Sequence, residues 1–345
     1  MRLPLTRLFG PSVTLLGLLA LSYLGLTGRL DLSKLAGNLT SSAPEALVGP
    51  TAPPSNKPEN LITIATFNIQ VFGEAKTQKP EVMADLAKIC KLFDVVAIQE
   101  VRSPDARPVE RLVGLINADG SRYASTISRP IFRQASITHR EQYAFVYDTT
   151  RIRLDPERVY VMNDEEDRMH REPMVASFTA IPTGADGRRP FTFTLINAHT
   201  DPDEVTPGAA GDNELDVLAD VYINVRNWEY SRHGEDDFIL LGDLNAPSDK
   251  LYGLAKIPGL TSVAGPYPTN TVGTKTLDHV LVDLETTGEF TRKAGVVDYV
   301  KDLKLSPEQA ALISDHRPVW AQFSSFEVPA YSGPIAAAPA TGEAR

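Results

Sequence analysis

Asp94-Val95-Val96-Ala97-Ile98-Gln99-Glu100 decides how this chain folds. Four apolar residues, three of them β-branched, are followed by two polar ones. A run this short and this β-branched reads as a fully buried strand rather than a helix. An ionised Glu100 at the end of such a strand is costly without a cation or a hydrogen-bonding partner. On its own a glutamate so placed is more often a salt bridge or a helix cap. Here it has company. Thr66-Phe67-Asn68-Ile69, Asn197-Ala198-His199 and Gly242-Asp243-Leu244-Asn245 each follow an apolar run too. Near the end of the chain, Ile313-Ser314-Asp315-His316-Arg317-Pro318-Val319 adds a second histidine. Polar residues that end buried strands converge at one edge of a sheet.

Working outward, strands are expected at Leu61–Ile69, Asp94–Gln99, Gln142–Tyr147, Val175–Ala180, Phe191–Asn197, Phe238–Leu241, Leu277–Val282 and Pro318–Phe323. Helical periodicity falls at about Glu81–Leu92, Val109–Asn117, Asn213–Tyr230 and Pro307–Ile313. The third carries Leu215, Leu218, Tyr222, Val225 and Trp228 along one side. Several strands are apolar throughout and others alternate, so the fold class is α/β, with two sheets packed face to face and helices outside.

The 345 residues are 42% hydrophobic, enough to build a real core without disulfides, and the single Cys90 excludes an intrachain bridge. Cys90 occupies a position where a small buried apolar residue is expected. Beyond residue 60 the chain has 29 Lys and Arg against 41 Asp and Glu, a net of −12. This balance argues against a broad basic face for polyanions, and a nucleic-acid substrate needs a local basic rim or bound cations.

Four segments are expected. In residues 1–27, Arg2 and Arg7 precede an uncharged apolar stretch from Leu8 to about Leu26, which reads as a signal peptide or N-terminal membrane anchor. Its length lies between a signal core and the ~20 residues that span a bilayer, so removal and anchoring both stay open, and with anchoring a membrane partner. Either way the catalytic part is exported, outside the cytoplasm. Residues 28–60 form a Pro/Ser/Ala-rich linker, 61–326 the catalytic domain and 327–345 a frayed tail. No obligate protein partner is implied.

The chemistry these clusters can support is phosphodiester hydrolysis. That reaction needs a divalent cation, a base for water and an acid for the leaving alkoxide, and hard oxygen ligands suit Mg²⁺. His316 has Asp278 as a candidate orienting carboxylate, and His199 has Glu141. A histidine giving one ring nitrogen to a carboxylate keeps one tautomer and a raised pKa. Asp243 is placed to orient or deprotonate water. Asn245 is placed to hold a phosphate oxygen or fix a neighbouring histidine.

These stretches resemble the endonuclease/exonuclease/phosphatase superfamily, and within it the secreted pancreatic-type deoxyribonucleases. The matching pieces are Phe67 to Glu74, Ile98 to Arg102, Glu141-Gln142-Tyr143, Arg171-Glu172-Pro173, Ala198-His199, Gly242 to Ala246, Leu277-Asp278 and Ile313 to His316, in family order across nearly all of Leu61–Phe323. The resemblance implies a four-layered α/β sandwich and Mg²⁺- or Mn²⁺-dependent hydrolysis. It assigns Asn68, Glu100 and Asp315 to the metal and phosphate, His199 with Glu141 and His316 with Asp278 to acid/base work, and Asp243 with Asn245 to water and phosphate. Arg102 inherits a minor-groove contact, Arg171 a phosphate contact, and Tyr143 joins them on the substrate side. An arginine in the minor groove reads shape rather than base identity, which suits a low-specificity nuclease.

The departures bear on substrate. Gln70 stands where the family has an arginine, and His139 replaces the minor-groove tyrosine, so duplex DNA is less secure than the hydrolytic site. In place of the family's cysteine-bearing calcium loop stands Asn163-Asp164-Glu165-Glu166-Asp167, a solvated acidic loop or a structural Ca²⁺ site. The leading expectation is a metal-dependent endonuclease acting on DNA. The alternatives are a phosphodiesterase of lipid head groups, sphingomyelinase-like, and a catalytically silent binding module.

Overall fold

The computed structural model describes residues 52–54, 56–131, 140–184, 187–205 and 213–328. The expected N-terminal membrane segment, residues 28–51 of the expected linker, His139 and the tail from residue 329 lie outside them. Among the described residues no helix is long and apolar enough to cross a membrane.

The described chain runs β1 (Leu61–Phe72), α1 (Glu74–Thr77), α2 (Pro80–Cys90), β2 (Val95–Val101), α3 (Arg107–Ile116), β3 (Tyr123–Ile127), β4 (Gln142–Asp148), β5 (Ile152–Val161), β6 (Met174–Ala180), β7 (Thr192–His199), α4 (Glu214–His233), β8 (Phe238–Asp243), β9 (Leu260–Ser262), β10 (Asp278–Asp283), β11 (Phe290–Val296), α5 (Tyr299–Asp302), α6 (Pro307–Ile313) and β12 (Val319–Ser324). The strands form two six-stranded sheets, in the orders β11-β12-β1-β2-β4-β3 and β5-β6-β7-β8-β10-β9. Each sheet has one parallel pair, β1 with β2 and β7 with β8, and the other pairings are antiparallel. A parallel pair needs a crossover, and α1 with α2 supply the first and α4 the second.

Three apolar layers explain why the central strands are apolar on both sides. Val95 and Ala97 of β2 face the core between the sheets with Phe145, Phe178, Phe193 and Leu241, while Val96 and Ile98 face outward onto Leu86 of α2 and Leu112 of α3. On the second sheet, Ile196 and Leu240 face Leu218 and Tyr222 of α4. The result is an α/β sandwich of four layers, helix, sheet, sheet, helix, as expected.

Helix ends follow local chemistry. Asn213 caps α4 through the Leu215 N–H, left-handed Gly234 ends it, and Ser306 with Gln309 forms a capping box that starts α6. Trp228 does not join the buried side of α4. It is 52% exposed, with the Arg232 guanidinium stacked 3.8 Å from its ring centroid. Cys90 is buried as expected, and burial pushes its thiol up to about 12.

Candidate active site

Because β1 runs parallel to β2 and β7 to β8, their carboxyl ends open together. Ligands in parallel α/β sheets sit outside such ends. Here the ends carry Asn68, Glu100, His199 and Asp243. The two sheets are joined beneath them by buried amides: Gln99 Nε2 donates to Asn197 Oδ1 at 2.6 Å and to Thr66 Oγ1 at 2.9 Å. Asn197 Nδ2 in turn donates to Ile98 O at 3.2 Å.

Asp243 is the centre. Asn68 Nδ2 donates to its Oδ2 at 2.9 Å, His199 Nε2 lies 3.6 Å from that same oxygen and His316 Nε2 3.5 Å. The backbone N–H of Asn245 donates to Asp243 Oδ1 at 3.1 Å, and the Asn245 amide donates to Thr200 O at 2.9 Å. Gly242 makes this approach possible. Its φ is +152°, and a Cβ there would stand 1.8 Å from Ala198 O.

Each histidine has its carboxylate behind it. His316 Nδ1 lies 2.8 Å from Asp278 Oδ2, which also accepts from Thr269 Oγ1 at 2.6 Å. His199 Nδ1 lies 3.1 Å from Glu141 Oε2. Burial disfavours the charged form of His316, but the Asp278 and Asp243 charges outweigh it and the imidazole is raised to about 10. Burial alone would push Glu141 up, yet the His199 contact with the Arg171 and Arg102 charges brings it down to about 2.

Glu100 adopts a left-handed conformation, φ +59°, at a break in register after Asn68 and Ile98, and Val71 opposite it does the same at φ +51°. For a β-branched valine that is strained, and strain of this kind gathers at working sites. The Val71 N–H donates to Glu100 Oε2 at 2.9 Å, Arg102 Nη2 sits 3.0 Å from the same oxygen, and Asn68 Nδ2 reaches Glu100 Oε1 at 3.1 Å. Arg102 also donates to Glu141 Oε1 at 2.9 Å, so this half-exposed arginine bridges the Glu100 and Glu141 sides. Asp315, 53% exposed, comes within 3.7 Å of His316 Nε2.

The structure thus gathers Asn68, Glu100, Arg102, Glu141, His199, Asp243, Asn245, Asp278, Asp315 and His316. Arg171 and Tyr143 are placed beneath the site rather than at its mouth. The buried Arg171 donates to His199 O and Thr200 O, both at 3.0 Å, and the Tyr143 hydroxyl accepts from the His199 N–H at 2.9 Å. Lys76 went unrecognised in the sequence. Its buried ammonium donates to Ile313 O at 2.6 Å and to Gln70 O, holding the Asp315-His316 turn to the end of β1. One lysine in Glu-Ala-Lys-Thr gives no signal of that; only its burial does.

The donor set fits a hard divalent cation. Asn68 Oδ1 is buried without a hydrogen-bond partner, next to the Glu100 and Asp243 carboxylates. Asp243, Asp278 and His316 also have ligand atoms within 4.8 Å of one another. The acidic loop at 163–167 is less open to an ion. Asp164 accepts from the Met169 N–H at 2.6 Å, and Arg168 Nε lies 3.3 Å from Glu166.

The chain is similar to known proteins in sequence and in fold. Residues 65–316 match the Endonuclease/Exonuclease/phosphatase family. The chain belongs to that family. It is 28% identical to deoxyribonuclease gamma of Rattus norvegicus over 275 residues, which cover 75% of this chain and 83% of the relative. It is 32% identical to deoxyribonuclease-1-like 1 of Homo sapiens over 269 residues, 74% of this chain and 82% of the relative. Among solved structures, the endonuclease/exonuclease/phosphatase from Bacteroides vulgatus superposes with a TM-score of 0.52 at 14% identity, over 77% of this chain and 99% of that one, a likeness of fold. Like its deoxyribonuclease relatives, the chain is a hydrolase of phosphodiester bonds.

Proposed function

We propose that this chain is an exported, metal-dependent endonuclease that hydrolyses DNA with little sequence specificity. One observation carries the reading: two imidazoles, each backed by a carboxylate, face a single oxygen of Asp243. An in-line displacement at phosphorus is helped by a base for the water and an acid for the leaving alkoxide, and the two imidazoles can supply them. The deoxyribonuclease relatives favour DNA over lipid head groups. The Arg2/Arg7-flanked apolar segment supports export.

Water attacks phosphorus, the bond to the leaving alkoxide breaks, and two protons move. His199, oriented by Glu141, takes the proton of the attacking water with Asp243 aligning it. His316, protonated at neutral pH by its two carboxylate neighbours, gives its Nε2 proton to the alkoxide. Asn68 and Glu100, with Asp315 at the rim, would hold a Mg²⁺ or Mn²⁺ ion. Such an ion neutralises phosphoryl charge. Arg102 is the residue placed to meet the minor groove, while Arg171 and Tyr143 hold the His199 backbone in position. Retention of both histidines with their carboxylates argues against a silent binding module.

The test is a panel of supercoiled plasmid, single-stranded DNA, RNA and sphingomyelin vesicles, each with a Mg²⁺ and Mn²⁺ series. Plasmid nicking that EDTA abolishes is the expected outcome. Hydrolysis of sphingomyelin with intact plasmid would overturn the substrate, and no hydrolysis of any of the four would overturn the enzyme.

A further inference from the structure

On the reading of His316 as the acid, we infer that Lys76 is its positioning residue: from beneath the site it fixes where that imidazole stands relative to Asn68 and the leaving oxygen.

Lys76 lies in α1, the short helix that follows β1, and is 8% exposed. Burying an ammonium is costly unless hydrogen bonds or a counter-charge compensate. Glu100 and Asp315 act on it through charge alone, without a hydrogen bond, and burial outweighs them, bringing the ammonium down to about 8. For packing alone, an apolar side chain of similar size would fill the place without that cost. The charged head must therefore serve the groups it touches.

Those groups are two carbonyls that chain order keeps far apart. The ammonium donates to Gln70 O, near the end of β1, and at 2.6 Å to Ile313 O, 237 residues from Lys76. Ile313 ends α6, where the last carbonyls have no partner inside the helix. Beside this link runs a second stitch. Ser314 Oγ donates to Asn68 O at 2.7 Å and accepts from the His316 N–H at 3.0 Å. The His316 backbone thus hangs from the stretch of β1 that carries Asn68, while its ring is held from the other sheet by Asp278 of β10. Lys76 braces the hold from the first sheet. Without it, Gln70 O and Ile313 O lose their shared donor and the Ser314 stitch is left to carry the turn. An acid must come within hydrogen-bond reach of the oxygen it protonates, and a shift of about 1 Å can cost about 10²-fold.

Two phosphodiesters read the acid separately from the rest of the site. Cleaving plasmid expels an alkoxide, which needs a proton, whereas bis(p-nitrophenyl) phosphate expels a phenolate, which leaves without one. At saturating Mg²⁺, full-length Lys76→Met should lose about 10-fold or more in kcat on plasmid and stay within about threefold on the aryl ester, with KM for plasmid little changed. Lys76→Gln, a milder change, should show the same bias should the methionine variant fold poorly. A purely structural role lowers the folded fraction and takes both substrates down together. Equal losses on the two esters, or a natural rate on plasmid, would overturn the positioning role. His316→Ala, run alongside, separates the other failure. If it loses both substrates alike, or if the natural chain hydrolyses neither, the assignment of the acid falls, and with it any role for Lys76 in placing it.

Discussion

His316 shows how much one residue's surroundings decide. Its ring is buried, which alone would favour the neutral form, yet Asp278 at 2.8 Å and Asp243 at 3.5 Å hold it charged to about 10. The sign follows from linkage. A folded pKa above the unfolded value near 6.5 gives stability that is complete below 6.5 and is lost as pH rises toward 10. In the metal-free protein, ¹⁵N NMR should therefore find the His316 ring protonated at pH 8. Asp278→Asn should lower its midpoint by more than a unit. A neutral His316 ring at pH 8 in the unsubstituted protein would show that the acid has been assigned to the wrong residue.

The elements explain what could be read from the sequence and what could not. All eight strands expected from apolar runs are present. The four that escaped, β3, β5, β9 and β11, are the edges of the two sheets. An edge strand has one neighbour and one partly wet side, so its sequence lacks the apolar run that marks a central strand. In β5, Asp155-Pro156-Glu157-Arg158 sits at a register shift, and in β11 left-handed Arg292 does the same. The site was legible because most of its residues end or lead into central strands. The buried places of Lys76, Arg171 and Tyr143 could not be read there, because they depend on packing between distant segments. The amide bridge between the sheets is testable at this scale. Asn197→Ala leaves the buried Gln99 amide without its 2.6 Å acceptor and should cost about 1–3 kcal/mol in urea unfolding. Unchanged stability would mean that the bridge does not hold the sheets.

At the scale of the molecule, the proposed function sets an acidic domain against a polyanion. The net charge of −12 beyond residue 60 argues against long-range attraction to DNA, so on that reading the neutralising falls to local groups: Arg102, the protonated His316 and a divalent cation that Asn68 and Glu100 would hold. The carboxyl ends of the parallel strands gather the chemistry around Asp243. Everything turns on the two imidazoles acting as a unit. The most direct measurement is the rate of plasmid nicking at saturating Mg²⁺ by the natural chain, His199→Ala, His316→Ala and the double variant, with Tm recorded for each. Each single variant should lose about 10³-fold or more, and the double variant should fall little further, because groups in one proton relay are not additive. A single variant that nicks within about threefold of the natural rate would contradict the account.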